Sequence, residues 1–229
     1  MLQAIIFDMD GVLIDSHPIH RQAWQQFLLT LDQQVSDAEL DFILEGRKRE
    51  DILRHFLGDD LSEVQIAEYG KRKDEIFRQA ALHVRPAAGV IEFLDHLEGY
   101  GIRKGVATSA SAGRTFFTLD RLQLTQRFAT IVTGNDVVHG KPDPAVYELA
   151  ARRLNARPES VLVIEDAVPG VSAAKDAGMK CLAIADCSRR EALRYAGADH
   201  VVPNFVGLSL PELEPFFGFS SGRRALWLR

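Results

Sequence analysis

Short apolar runs alternate with longer segments of helical periodicity along most of this chain. The runs are bounded by polar residues, Gly or Pro, and they lie at Ala4–Phe7, Gly105–Ser109, Thr130–Thr133, Val161–Ile164, Cys181–Ala185 and His200–Val202. Such runs are typical of strands that are buried on both faces of a sheet. Amphipathic segments that fit helices lie between them, at Gly89–Tyr100, Thr115–Leu122, Ala145–Leu154 and Val171–Ala177. The alternation predicts an α/β fold, in which a parallel sheet carries helices on both faces.

The stretch 15–83 departs from this alternation. It shows only helical patterns, at Arg21–Leu31, Asp37–Leu44, Glu50–Leu57 and Ser62–Ala81. Pro86 marks a break where the chain returns to the sheet. We therefore expect a core formed by residues 1–14 and 84–229, with residues 15–83 inserted after the first strand as a helical bundle. In the tail Phe216–Arg229, a Ser/Gly pair suggests a loose extension, although Leu226 and Trp227 could dock against the fold.

Composition and charge exclude several classes of protein. The hydrophobic fraction of 46% is that of an ordinary globular protein. The net charge of −5 argues against nucleic-acid binding, which needs a basic face. The two cysteines, Cys181 and Cys187, are too few for a disulfide scaffold and have no partners at zinc spacing. We find neither a signal peptide nor an apolar stretch that could span a bilayer. We therefore expect a cytoplasmic monomer with no nucleic-acid or membrane partner.

Polar side chains gather where the apolar runs end. Four acids, two hydroxyls and a lysine follow four of the runs: Asp8 and Asp10, Thr108 and Ser109, Lys141, and Glu165 and Asp166. In open parallel sheets, ligands bind in the crevice outside the carboxyl ends of the strands. These residues are therefore expected to share one active-site crevice.

The types of these residues suit phosphoryl transfer. A carboxylate that attacks a phosphate ester is repelled by it, so a cationic group must offset the charge that develops. Asp8 is the candidate nucleophile. Asp10, two residues later, can face the same side of an extended chain and donate a proton to the leaving oxygen. Lys141 is a candidate for the opposing positive charge, and Ser109 for a hydrogen bond to the transferring group.

The acids also suit a magnesium ion. Mg²⁺ prefers a few carboxylate and carbonyl oxygens together with water. Asp8, Asp166 and Glu165 are candidates to supply these oxygens. The residues leave open whether Glu165 binds the metal directly, because acids at the start of a helix also complement its dipole.

Four motifs resemble, in order, the signatures of the haloacid dehalogenase-like hydrolase superfamily: DMDGVLIDS at Asp8–Ser16, Thr108–Ser109, GKPDP at Gly140–Pro144 and EDAVPG at Glu165–Gly170. The resemblance extends to about Pro203, and it implies a Rossmann-like doubly wound parallel sheet core with an inserted helical-bundle cap domain. It also implies an aspartyl-phosphate on Asp8, acid/base chemistry by Asp10, and Mg²⁺. The metal would be held by the side chains of Asp8 and Asp166 and by the backbone carbonyl of Asp10. An aspartate at the Asp10 position implies a phosphatase or mutase rather than a dehalogenase.

Within the superfamily, the chain is similar to the β-phosphoglucomutase and sugar-phosphatase group. The similarity includes five candidate substrate-binding residues, His20, Trp24, Arg49, Lys73 and Ser111. It implies that Arg49 holds a second, non-transferring phosphate with help from Lys73 and Ser111, and that His20 packs near Asp10. The helical spacing of Trp24 with its apolar neighbours is also that of a packed core.

The chain departs from the mutases directly after Ser111. Mutases carry a lysine and an asparagine there, whereas this chain has Ala112 and Gly113, followed by Arg114, which could replace the lysine. A mutase must bind a bisphosphate in two orientations, but a phosphatase needs only one phosphate site. We therefore expect an Mg²⁺-dependent phosphatase for a phosphorylated sugar or similar small metabolite. The alternatives are a β-phosphoglucomutase and a non-catalytic sugar-phosphate sensor.

Overall fold

The computed structural model describes residues 2–43 and 47–218, and these form six strands, ten α-helices and three short 3-10 helices. The strands are β1 (Ala4–Phe7), β2 (Arg103–Ala107), β3 (Thr130–Val132), β4 (Val161–Glu165), β5 (Lys180–Ile184) and β6 (His200–Val202). The helices before β2 are α1 (His17–Leu29), α2 (Asp37–Ile43), α3 (Arg49–Leu57), α4 (Glu63–Ala80) and α5 (Val90–Glu98). Those after it are α6 (Ala112–Arg121), α7 (Ala145–Arg153), α8 (Val168–Asp176), α9 (Arg190–Tyr195) and α10 (Leu210–Phe217).

The strands form one parallel sheet in the order β3-β2-β1-β4-β5-β6. This confirms the predicted Rossmann-like doubly wound α/β fold. β2 begins earlier than its apolar run indicated and ends at Ala107, which pairs with Val132 at the end of β3. Thr108 and Ser109 therefore lie in the loop beyond the strand.

β1 shows why such short apolar runs become central strands. Ala4 and Ile6 pack into the core on one face of the sheet, and Ile5 and Phe7 into the core on the other. All four side chains are fully buried. Burial of an isoleucine or phenylalanine stabilises a fold by about 1.5–3 kcal/mol, so β1 is anchored from both sides.

The stretch after β1 is helical, as the sequence predicts. α1 begins at His17 rather than at Arg21, because Pro18 is well accommodated in a first helical turn. Its buried positions, which include Trp24, Phe27 and Leu28, face a separate apolar cluster formed with α2, α3 and α4. The division into a core and an inserted cap at residues 15–83 stays a prediction.

Two helices near the C-terminus were not predicted from the sequence. α9 is short, and α10 buries Leu210 and Leu213 against the sheet core. α10 includes Phe216, so the prediction of a loose tail is wrong for its first residues, while residues 219–229 lie outside the described part of the chain. Among the described residues, no helix has both the length and the apolar character needed to cross a membrane.

Candidate active site

A pocket lies at the carboxyl edge of the sheet, where the loops that follow β1, β2 and β4 meet helices α1, α3 and α4. β1 lies between β2 and β4, so its acidic loop has a neighbouring loop on each side. The candidate site residues from the sequence all line this pocket except Lys141, which contacts Asp8. The structure therefore brings the dispersed motifs together.

Lys141 connects two of the acids. Its Nζ donates to Asp8 Oδ1 and to Glu165 Oε1, each at 2.6 Å, and its side chain is buried. Tyr147 Oη donates to the same Glu165 oxygen at 2.7 Å. Burial would lower the pKa of Lys141, but the two carboxylates raise it above its usual value. Lys141 is therefore a fixed positive charge beside Asp8.

Glu165 accepts hydrogen bonds on both carboxylate oxygens. Its Oε1 accepts the two bonds just described, and its Oε2 accepts from the backbone amides of Asp166 at 2.8 Å and Ala167 at 3.0 Å. A Cβ at Gly170 would lie 1.8 Å from Oε1, so only a glycine leaves room for this arrangement. Direct coordination of a metal by Glu165 would have to displace one of these bonds.

The acids fit a magnesium ion. One carboxylate oxygen from each of Asp8, Glu165 and Asp166 lies within 4.8 Å of the others. Burial, together with the charges of Glu165, Asp166 and Asp10, raises the pKa of Asp8 to about 8, against the opposing effect of Lys141. A divalent cation would offset these charges, and Mg²⁺ prefers such oxygen ligands.

Asp166 has two partners that the sequence did not reveal. His17 Nε2 lies 2.9 Å from Asp166 Oδ2, and Arg189 Nη2 lies 3.3 Å from the same oxygen. Burial alone would lower the pKa of His17, but Asp166 raises it. A Cβ at Gly11, whose φ is +74°, would lie 2.3 Å from Asp166 Oδ2. The turn after Asp8 therefore needs a glycine for both conformation and space.

Asp10 is held by three side chains. Its Oδ1 accepts from Ser16 Oγ at 2.7 Å and lies 3.0 Å from His20 Nε2. Arg114 adds a bidentate ion pair, with Nη1 at 2.9 Å from Oδ1 and Nη2 at 2.7 Å from Oδ2. Burial alone would raise the pKa of Asp10, but Arg114 and His20 hold it well below its usual range. Asp10 is therefore ionised in this arrangement.

His20 connects Asp10 to α4. Lys73 Nζ lies 3.2 Å from His20 Nδ1 and can donate to it, which assigns the proton of the neutral ring to Nε2, facing Asp10. Burial and the charge of Lys73 lower the pKa of His20 to about 3, so the ring is neutral. Burial and the Arg114 charge lower the pKa of Lys73 to about 7. The Nζ of Lys73 lies 5.1 Å from the centre of the Trp24 ring. Trp24 therefore lines the pocket and also belongs to the apolar cluster of the helices.

Arg114 is the main residue that the site prediction missed, since the sequence suggested it only as a replacement for a mutase lysine. It is buried in the first turn of α6, and its guanidinium lies 5.0 Å from the centre of the Phe77 ring. α6 buries Arg114, Thr115, Thr118 and Leu119 on one face. An arginine on the inward face of a helix that follows a strand end is the signal that could have identified it.

Arg49 and Ser111 both contact Asp74 rather than an open subsite. Arg49 Nη1 donates to Asp74 Oδ2 at 2.7 Å, and Ser111 Oγ donates to the same oxygen at 2.8 Å. Asp74 is buried, and it was not among the predicted site residues because acids on a helix usually face solvent.

Ser109 and Thr108 differ in their bonding. Thr108 Oγ1 accepts from the amide of Ala110 at 3.1 Å, which supports the loop. Ser109 Oγ is buried at the pocket and has no hydrogen-bond partner within residues 2–43 and 47–218. Buried hydroxyls normally have partners, so this one is available to a bound ligand.

Comparisons with known proteins agree with this geometry. A sequence profile of haloacid dehalogenase-like hydrolases matches residues 5–184. Validoxylamine A 7'-phosphate phosphatase of Streptomyces hygroscopicus subsp. limoneus is 31% identical over 222 residues, which span 94% of this chain and 100% of that protein. β-Phosphoglucomutase of Bacillus subtilis (strain 168) is 30% identical over 91% of this chain and 92% of that protein. The crystal structure of CbbY from Rhodobacter sphaeroides in complex with phosphate superimposes with a TM-score of 0.83 at 28% identity, covering 93% of this chain and 100% of that one.

Proposed function

The chain belongs to the haloacid dehalogenase-like hydrolase family, and from that premise we propose that it is an Mg²⁺-dependent phosphatase for a phosphorylated sugar or similar small metabolite. The observation that carries the proposal is the buried contact of Asp8 with Lys141 at the centre of the sheet edge. A nucleophilic carboxylate needs such a fixed cation, because the phosphate that it attacks is also anionic.

In the first step, an oxygen of Asp8 bonds to phosphorus while the bond from phosphorus to the ester oxygen breaks. Lys141 offsets part of the charge of the transferring group, and the hydroxyl of Ser109 donates a hydrogen bond to it. Asp10 protonates the leaving oxygen. Because Arg114 keeps Asp10 ionised, this proton donation requires the guanidinium to move off Asp10.

In the second step, Asp10 takes a proton from water, the water oxygen bonds to phosphorus, and the bond to Asp8 breaks to release phosphate. Asp8 and Asp166 would hold Mg²⁺, which would supply further positive charge next to the phosphoryl group. His20 and Ser16 orient Asp10 for both proton transfers through the hydrogen bonds described above.

The substrate class is supported by the similarity to validoxylamine A 7'-phosphate phosphatase and to the phosphate complex of CbbY. We further propose that residues 15–83 act as a cap over the core formed by 1–14 and 84–229, since His20, Arg49 and Lys73 reach the pocket from there. A cytoplasmic monomer stays a prediction.

The test is phosphate release from small phosphate monoesters by three forms of the protein. Asp8→Asn should lose turnover by a factor of at least about 10³ while its circular dichroism is unchanged. Asp15→Asn, a change of the same type at an exposed neighbouring position, should keep full activity. EDTA should abolish wild-type activity, and added Mg²⁺ should restore it. Full turnover in Asp8→Asn, or in EDTA, would contradict the mechanism.

The β-phosphoglucomutase alternative is supported by the similarity to the relative from Bacillus subtilis. One incubation separates the two reactions: β-glucose 1-phosphate with a trace of the 1,6-bisphosphate, followed by assay of glucose 6-phosphate and free phosphate. Phosphate release supports the phosphatase, whereas glucose 6-phosphate without matching phosphate release establishes the mutase.

A further inference from the structure

We infer that Asp74 makes this site selective for phosphate esters whose remaining part is uncharged and rich in hydroxyls. The inference rests on the proposed function, because it names the substrate class of the same pocket. It also replaces the expectation that Arg49 and Ser111 bind a second phosphate.

The contacts of Asp74 place an internal anion where two donors converge. Arg49 approaches from α3 and Ser111 from the start of α6, and both donate to Oδ2 of Asp74 on α4, at 2.7 and 2.8 Å. All three residues line the pocket. An incoming phosphate would have to displace a buried carboxylate from both donors and would be repelled by its charge.

Gly70 leaves room beside α4 for the Arg49 side chain in its contact with Asp74. It lies inside α4, where a glycine destabilises a helix by about 0.5–1 kcal/mol relative to alanine. A Cβ there would lie 2.4 Å from both Nε and Cζ of Arg49. The guanidinium therefore lies against α4 where the helix has no side chain, next to the carboxylate of Asp74 one turn later.

Other cations near the pocket also have internal partners. Arg114 forms its bidentate pair with Asp10, and Lys141 contacts Asp8 as well as Glu165. Lys73 donates to a histidine and has a pKa of about 7, so its charge is only partial at neutral pH. A second anionic group would therefore find carboxylates already beside Arg49, Arg114 and Lys141.

The same carboxylate suits a hydroxyl-rich group. A carboxylate offers about four lone-pair directions, and two of those of Asp74 are used by Arg49 and Ser111. The others can accept from substrate hydroxyls. Trp24 and Ile52, which also line the pocket, provide apolar surface for the carbon side of a sugar or polyol.

The experiment compares a monoester, glucose 6-phosphate, with glucose 1,6-bisphosphate in two assays. One assay gives kcat/KM for phosphate release, and the other gives the Kd by calorimetry. Wild type is expected to prefer the monoester in both. Asp74→Asn keeps the shape of the side chain but removes its charge. It should shift the ratio of the two kcat/KM values, and the ratio of the two Kd values, in favour of the bisphosphate by about tenfold or more. The control is Glu75→Gln, which removes an exposed charge from the same helix and should leave the ratio unchanged.

The outcomes separate this inference from the proposed function. If wild type releases no phosphate, the proposed function is contradicted. The ratio of the two Kd values from calorimetry still tests the role of Asp74. An unchanged ratio in folded Asp74→Asn, or tighter wild-type binding of the bisphosphate than of the monoester, overturns the inference. If Asp74→Asn does not fold, Asp74→Ser removes the same charge with a smaller side chain and is judged by the same ratio.

Discussion

Replacement of Lys141 by methionine is expected to destabilise the protein severely. The change keeps most of the aliphatic stem but removes the ammonium that lies 2.6 Å from both Asp8 Oδ1 and Glu165 Oε1. The carboxylate of Glu165 would then be buried without its neutralising charge, beside Asp8, whose carboxyl already has a pKa of about 8. Removal of one partner of a buried ion pair costs about 3–5 kcal/mol. Since domains are stable by only about 5–15 kcal/mol, this is a large part of the total.

The measurement is urea and thermal unfolding, followed by circular dichroism at pH 7.5 in EDTA, so that no divalent cation replaces the lysine. For a chain of 229 residues, 1 kcal/mol corresponds to about 2–4 °C in Tm. The expected loss in Lys141→Met is therefore about 6–20 °C.

Lys104→Met is the matched control. The Lys104 side chain is also buried, and its Nζ lies 2.8 Å from Glu98 Oε1, but the Glu98 side chain is 55% exposed. Water can solvate that carboxylate once the lysine is gone, so the loss should be about 0–1 kcal/mol. Equal losses in Lys141→Met and Lys104→Met, within about 1 kcal/mol, would refute the reasoning.

Two further predictions concern stability and loop geometry. Burial alone would raise the pKa of Asp199, but a hydrogen bond from Lys175 helps to lower it below its usual value. The Asp199 carboxylate therefore stabilises the fold above about pH 4, and this contribution is lost as the pH falls further. In urea titrations, the difference in unfolding free energy between wild type and Asp199→Asn should accordingly shrink below about pH 4. In Gly134→Ala, the new Cβ would lie 2.5 Å from the carbonyl oxygen of Ser109, so both Tm and kcat should fall. Gly99→Ala, whose Cβ meets nothing closer than 3.4 Å, should change neither.

The sheet could be predicted because its signal is local. Ala4–Phe7 is apolar at every position, and a strand with neighbours on both faces requires that composition. The convergence of Asp8, Ser109 and Asp166 followed from a general rule about the carboxyl ends of parallel strands. Both steps used only each strand and the residues directly after it, and the general rule supplied the convergence of the strand ends.

The partners within the site could not be predicted in the same way. Arg114 and Asp10 are 104 residues apart, and nothing near either residue indicates the other. The acceptor role of Asp74 depends on how α3, α4 and α6 pack, which periodicity does not determine. The early start of α1 places His17 on Asp166, whereas the apolar pattern indicated a helix only from Arg21.

The central position of β1 has a consequence for how the chain folds during synthesis. Ala4 is opposite Arg103 on one side and opposite Val161 on the other, so β1 acquires its second neighbour 157 residues after it is made. At about 5–20 residues per second on the ribosome, that interval is roughly 8 to 30 s. Throughout it, the most apolar strand of the sheet has an unpaired edge. A nascent chain of this protein therefore exposes an edge that is prone to aggregation until β4 is made.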